Sequence, residues 1–208
     1  MQASSERLRP PGTTTWLWSS ASPDLLWEQT TCMRTIHLAN EEDGEPLLNV
    51  ARRAGVFTPM ELACVQELWE AYRQKGEASG YIFLVCREEG RVVGFLCFGP
   101  TPLTIGTFDL YWIAVDPAVR GQGIGHALMD RMEQEVARRD GRLILVETSG
   151  TPAYAEARRF YESCGYHYQA VVHDFYRPGD DLLIFGKPVA PGLQPAPAVR
   201  SHLTPHAL

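Results

Sequence analysis

No stretch of this chain is apolar for long enough to cross a bilayer: the longest runs fall far short of the roughly 20 residues that a spanning helix needs. The N-terminus also lacks the apolar core of a secretory signal. Cysteine is scarce and shows no pairing pattern. Cys32, Cys64, Cys86, Cys97 and Cys164 are odd in number, none is spaced C-x-x-C, and segments such as LVCRE and FLCFG give them apolar neighbours. This argues against a disulfide framework or a zinc site and for thiols buried in a reducing compartment, so a cytoplasmic protein with no membrane partner is expected. Positive charge is short as well. There are 19 Lys and Arg against 25 Asp and Glu, a net charge of −6, and the Arg pairs are scattered. That argues against a nucleic-acid partner, which demands a clustered basic surface. An acidic surface instead suits cationic substrates such as amines.

What is present points to one domain. With 208 residues and 45% hydrophobic side chains the chain can bury a single core but is short for two. Residues 1–33 are rich in Ser, Thr and Pro without helical or strand period, the composition of a flexible arm. Trp16, Trp18 and Trp27 are unusual for such an arm and suit docking; equally, the natural start could be Met33, with the upstream residues a start-site extension. Residues 189–208 repeat Pro and Ala and read as a disordered tail, which leaves residues 34–188 as the domain.

Within that domain, residues 34–39 form a short strand and residues 41–55 a helix closed by Gly55. Thr58, Pro59 and Glu61 make the capping box of a second helix, whose Leu62, Val65, Trp69 and Tyr72 recur at helical spacing. Residues 81–99 read as two strands turning at Gly90, and residues 107–115 as a third. A glycine-started helix then runs to residue 139, followed by a strand at 142–149, a helix at 152–165 and a last strand pair around RPGD. Strands in runs with helices between some of them give an α/β class, a mixed sheet layered with helices.

The helix after the third strand has an unusual start. WIAVDPAVRGQGIGHALM, residues 112–129, passes from a strand through a Pro turn into glycines and then into a helical face of Ile124, Leu128, Met132 and Val136. Glycine lets a ligand approach the backbone, and the first amides of a helix have no internal partners. The segment is therefore suited to cradle an anion such as a phosphate, with Arg120 as a fixed cation. It has no Gly-Lys-Ser/Thr ending of a P-loop, and its glycines are not at the first strand–helix junction that a dinucleotide fold requires. Taken alone, the same glycines would also serve close helix–sheet packing.

AVDPAVRGQGIGHALM resembles the acyl-CoA-binding motif of the GNAT (Gcn5-related N-acetyltransferase) superfamily, Arg/Gln-x-x-Gly-x-Gly, met here at Arg120, Gly123 and Gly125. ARRFYESCGY, residues 157–166, is similar to that superfamily's Ala-x-x-Leu/Phe-Tyr-x-x-x-Gly-Phe/Tyr helix end, and the order of elements fits from about residue 34 to 187. The resemblance implies a central, mostly antiparallel mixed sheet of six to seven strands with about four helices, and acetyl-CoA as cosubstrate. Its pyrophosphate would lie on the loop and helix start at Gly121, Gln122, Gly123, Ile124, Gly125 and His126, beside Arg120. The pantetheine arm would pair with the strand edge at Ile113, Ala114 and Val115, in a splayed opening toward LILVE. Tyr154 stands where many relatives carry an Asn that touches this arm.

An alkylammonium, with a pKa of about 10.4, must lose a proton before it attacks a thioester, so the site needs a proton acceptor and a donor near the departing sulfur. Tyr161 falls at the superfamily's donor tyrosine. Asp109 falls where several members carry a catalytic glutamate, and Glu147, at the end of LILVE, is the rival base; either could also be a solvated or turn-closing carboxylate. Tyr111 shares the Asp109 face by strand alternation. His126 is read as an amide contributor and Cys164, without a His partner, as packing. The segment at residues 173–185 would line the acceptor side with Asp174 and Tyr176, although Pro-Gly-Asp is also an ordinary turn. The implied activity is direct transfer of an acetyl group, with no metal, to a primary amine, a small molecule ahead of a protein N-terminus or lysine. A non-catalytic acyl-CoA sensor is the alternative, and a homodimer is compatible.

Overall fold

The computed structural model describes residues 34–189. The expectations for an arm at residues 1–33 and a tail beyond residue 189 lie outside the described residues. Strand β1 (Arg34–Leu38) leads to a 3-10 turn (Glu41–Asp43) and helix α1 (Gly44–Ala54), where one continuous helix was expected. The turn winds tightly because Asn40 and Asp43 cap each other: Glu42 N donates to Asn40 Oδ1 at 3.0 Å and Asn40 N to Asp43 Oδ2 at 2.8 Å. Gly55 closes α1 at φ +70°. Helix α2 (Pro59–Lys75) begins with the expected box, Thr58 N donating to Glu61 Oε2 at 2.7 Å. Its Val65 and Trp69 are buried, and the Trp69 ring meets Phe83 edge-on at 5.3 Å.

Among the described residues six further strands follow: β2 (Ile82–Glu88), β3 (Arg91–Pro100), β4 (Thr107–Val115), β5 (Leu143–Ser149), β6 (His167–Arg177) and β7 (Asp180–Pro188). They join β1 in one sheet of order β1-β2-β3-β4-β5-β7-β6. Of these strands only β4 and β5 pair in parallel, and helix α3 (Ile124–Ala137) supplies the crossover that a parallel pair needs. Helix α4 (Ala155–Ser163) connects β5 to the closing hairpin.

Each face of the sheet has its own core. On one, Ile124, Leu128, Met132 and Val136 of α3 and Tyr161 of α4 pack on Leu84, Leu96, Leu110, Ile144 and Val146. On the other, Leu47, Val50 and Ala51 of α1 and Val65 and Trp69 of α2 cover Phe83, Val85, Phe95 and Cys97. No helix among the described residues is long and apolar enough to cross a membrane.

Two irregularities in β4 interrupt the regular sheet. Its pairing with β3 passes from Cys97↔Trp112 to Phe98↔Leu110, so Tyr111 is an extra residue and a β-bulge. The bulge resets the alternation: Tyr111 and Trp112 both lie toward α1 and α2, while Ile113 and Val115 turn to the α3 side. The pairing with β5 is short, running from Thr107↔Leu143 to Leu110↔Val146 and then ending. Beyond it β4 stays with β3 as far as Val115, and β5 stays with β7 as far as Ser149, so the two parallel strands part.

Candidate active site

The glycine segment is assembled by its neighbours. Asp116 accepts from Ala118 N at 3.1 Å to shape the turn after β4, and Arg53 of α1 holds its carboxylate at 2.8 Å. Gly121 and Gly123 both adopt φ +77°, a left-handed conformation that costs other residues roughly 1–2 kcal/mol. A Cβ on either would meet none of the described residues within 4 Å, so the space above them is open. Gly125 has a different reason: a Cβ there would lie 3.0 Å from the Phe160 ring. Gly121 and Gly123 therefore leave open space beside the backbone, whereas Gly125 serves close packing. Gly123 caps α3 without any side-chain bond, and the amides of Ile124, Gly125 and His126 precede the first helical bond, Ala127 N to Gly123 O.

Two arginines bear on this loop. The Arg120 guanidinium donates to Ala54 O at 2.6 Å, satisfying the C-terminal end of α1. Arg34 of β1 also reaches the loop, with Nη1 on Gln122 O at 3.0 Å and Nη2 on Gln122 Oε1 at 3.2 Å. Nothing local in the sequence links these positions, which are 88 residues apart. The His126 ring shares a hydrogen bond with Ser163 Oγ at 3.0 Å, tying α3 to α4.

Where β4 and β5 part, the backbone of residues 111–115 has no strand partner among the described residues on the β5 side. Titratable side chains gather around this opening from both faces of the sheet. Asp109 and Tyr111 point away from the α3 side, and so does Glu147, because its neighbour Val146 belongs to the α3-side core. Asp109 is half-buried and accepts from Thr101 Oγ1 at 2.8 Å; burial raises its pKa despite that bond. Glu147 is exposed as a whole, yet the cleft wall partly desolvates its carboxyl, and the Asp109 charge lifts its pKa further. Burial, then Asp109, pushes the Tyr111 hydroxyl up to about 12, with Glu147 adding a smaller push.

Tyr161 approaches from the opposite face. It is 8% exposed, its ring packs near Phe160 and Phe185, and burial holds its hydroxyl far above the usual tyrosine range. It therefore stays protonated at any physiological pH. Cys164, one turn on, is a thiol pushed up to about 11 by burial, which suits packing and not nucleophilic attack.

One further carboxylate belongs to this group of titratable side chains, Glu61, which the sequence shows only as a member of the α2 capping box. Glu61 serves the α2 cap with one carboxylate oxygen and accepts from the Tyr154 hydroxyl with the other, at 3.1 Å. Tyr154 lies in a 3-10 turn (Pro152–Tyr154) ahead of α4, not within the helix. Tyr176 on β6 is exposed and feels the Glu147, Asp180 and Glu61 charges after its own partial burial, which places it with this group. Asp174, at φ +53°, accepts from Gly179 N at 2.6 Å, a contact that closes the β6–β7 turn.

Comparison with known proteins gives first the class and then the family. The acetyltransferase (GNAT) domain profile matches residues 79–168. A GNAT-family protein from Desulfovibrio desulfuricans is 40% identical, with a TM-score of 0.74 over 76% of this chain and 100% of its own. The [ribosomal protein bS18]-alanine N-acetyltransferase of Escherichia coli is 26% identical over 53% of this chain and 73% of that protein. At 19% identity, an aminoglycoside 6'-N-acetyltransferase solved with coenzyme A shares the fold, with a TM-score of 0.61 over 78% of this chain and 99% of its own. The class is that of N-acetyltransferases. The chain belongs to the GNAT family.

An acyl-CoA is the cosubstrate this family implies, and the residues present fit one. Two left-handed glycines under open space, a helix start without side-chain caps and a stretch of β4 open on its β5 side offer backbone groups for phosphate and amide groups.

Proposed function

We propose that this GNAT N-acetyltransferase moves an acetyl group from acetyl-CoA to the primary amine of a small cationic molecule. The observation that carries the reading is the division of groups across the opening between β4 and β5. Tyr161 belongs to the α3–α4 face, with the glycine cradle, whereas Asp109, Glu147 and Tyr111 belong to the α1–α2 face. A thioester laid along the β4 edge from the cradle side would present its carbonyl to an amine arriving from the other side.

Each residue then has a task. Asp109 or Glu147, with pKa values raised toward the working range, takes the proton that the incoming ammonium must lose. Tyr161, kept protonated by burial, gives one to the departing sulfur. When bound, the coenzyme supplies the activated acetyl group. The unpaired amides of the cradle and β4 hold its diphosphate and its arm. The carboxylates of Glu61, Asp109 and Glu147, among tyrosines 111, 154 and 176, suit a cationic acceptor, and the Glu61–Tyr154 bond bridges α2 to the turn before α4 on that side.

The test is thiol release from acetyl-CoA against a panel of diamines, aminoglycosides and peptides with free N-termini, alongside calorimetric titration of the coenzyme. Release stimulated by a small amine supports the reading. Stimulation by peptides alone moves the acceptor to a protein N-terminus. Tight binding with no acceptor ever stimulating release overturns the catalytic assignment in favour of a sensor.

A further inference from the structure

The geometry points to Arg34 as the residue that sets the orientation of the coenzyme cradle. This rests on the acyl-CoA reading and adds to it a positioning residue from the far edge of the sheet. Arg34 opens β1 and stands opposite Glu88 in the β1–β2 register. Its Nη2 meets Glu88 Oε1 at 2.6 Å, and both side chains are largely sheltered, at 29% and 14% exposure. The pair presents the guanidinium as a fixed fork and not as a mobile surface charge.

From that position Arg34 grips Gln122 twice, at the main-chain carbonyl (3.0 Å) and at the side-chain Oε1 (3.2 Å). The main-chain bond matters for the cradle. The carbonyl of Gln122 and the amide of Gly123 belong to one planar trans peptide and point in opposite directions. Fixing the carbonyl on Arg34 therefore aims the Gly123 N–H away from Arg34, where it has no hydrogen bond to the described residues. On its C-terminal side this peptide is flanked by Gly123, which lacks a Cβ and sits at φ +77°, a region that places little restriction on a glycine. Without an external clamp this peptide has little to keep it from flipping, and Arg120, committed to Ala54, does not supply one.

The test compares acetyl-CoA with acetyl-pantetheine, which lacks the diphosphate. Arg34→Ala is expected to weaken acetyl-CoA binding about tenfold in calorimetric titration of the enzyme without acceptor, and to raise its KM by the same factor with kcat little changed, the loss of a charge-assisted hydrogen bond. KM for acetyl-pantetheine should not move, and Arg34→Lys, which keeps charge but not the fork, should fall between. Melting curves check that each variant is folded. If Arg34→Ala does not fold, Glu88→Gln, which keeps an acceptor for the guanidinium but removes the charge that holds it, should raise the same KM by a smaller factor and leave acetyl-pantetheine alone. An unchanged KM for acetyl-CoA, or equal losses with both donors, overturns the positioning role. A wild-type enzyme that uses both donors equally well overturns the cradle itself, and this role with it.

Discussion

The Tyr154 hydroxyl donates to Glu61 Oε1 at 3.1 Å, joining the turn before α4 to the first turn of α2 across 93 residues of sequence. Glu61 thus serves two elements, because its other oxygen takes the Thr58 amide at 2.7 Å. The two duties separate by substitution. Glu61→Ala removes the cap as well as the bridge and should cost about 1–2 kcal/mol in urea unfolding. Tyr154→Phe keeps the cap and should cost under about 1.5 kcal/mol, while raising KM for the acceptor and sparing that for acetyl-CoA. Equal costs for the two variants would show that the cap carries none of the stability.

Burial raises the pKa of Asp109 from 3.8, so the folded state holds that proton more tightly than the unfolded chain does. Its contribution to stability is then fully present below the unfolded value and is lost as pH rises through the folded one. Asp109→Asn cannot ionise and should be more stable than the parent protein at pH 7, with the difference closing below about pH 4. Denaturant midpoints measured across pH report this directly.

The same substitution separates the two candidate bases. Removing the Asp109 charge lowers the Glu147 pKa, since that charge helps to raise it. With Glu147 as base, the acid limb of kcat/KM should move to lower pH in Asp109→Asn while activity persists. With Asp109 as base, the rate should fall on the order of 10²-fold and the limb should disappear.

Tyr161→Phe keeps the ring that packs near Phe160 and Phe185 and removes only the hydroxyl. Turnover should fall on the order of 10²-fold, as for loss of a general acid, with acetyl-CoA affinity nearly unchanged by calorimetry. An unaltered rate would remove Tyr161 from the donor role.

The glycines should differ in effect. A bulky residue at Gly123 enters open space and should abolish coenzyme binding besides costing about 1–2 kcal/mol of left-handed strain, whereas Gly125→Ala drives a methyl to 3.0 Å from Phe160 and should cost about 1–3 kcal/mol of stability through packing. Melting curves with and without coenzyme A distinguish the two, and retained affinity in the Gly123 variant would sink the cradle.

Much of this layout is legible in the sequence because its signals are local. Thr58, Pro59 and Glu61 announce α2, Gly55 ends α1, and the strand before residue 116 with glycines after it marks the start of α3. What escaped is non-local. The bulge at Tyr111 depends on register with β3, and strand alternation alone would have put Trp112 on the α3 face. The reach of Arg34 to Gln122, with Arg120 on Ala54, depends on which carbonyl each guanidinium meets after folding. Asp174 closes a turn because its neighbours in space are Gly179 and Asp181, neither of which its own sequence context can rank above a ligand.

The short β4–β5 pairing has a mechanical side. Sheet hydrogen bonding from β1 to β6 is continuous across that boundary only through the register from Thr107↔Leu143 to Leu110↔Val146, like a spine stitched at one end. A bound coenzyme arm would supply stitches for the open end, so occupancy and cohesion of the two leaves would rise together. At 100 times Kd the gain by mass action is about 2.7 kcal/mol, enough to make the melting temperature of this protein a gauge of free acetyl-CoA.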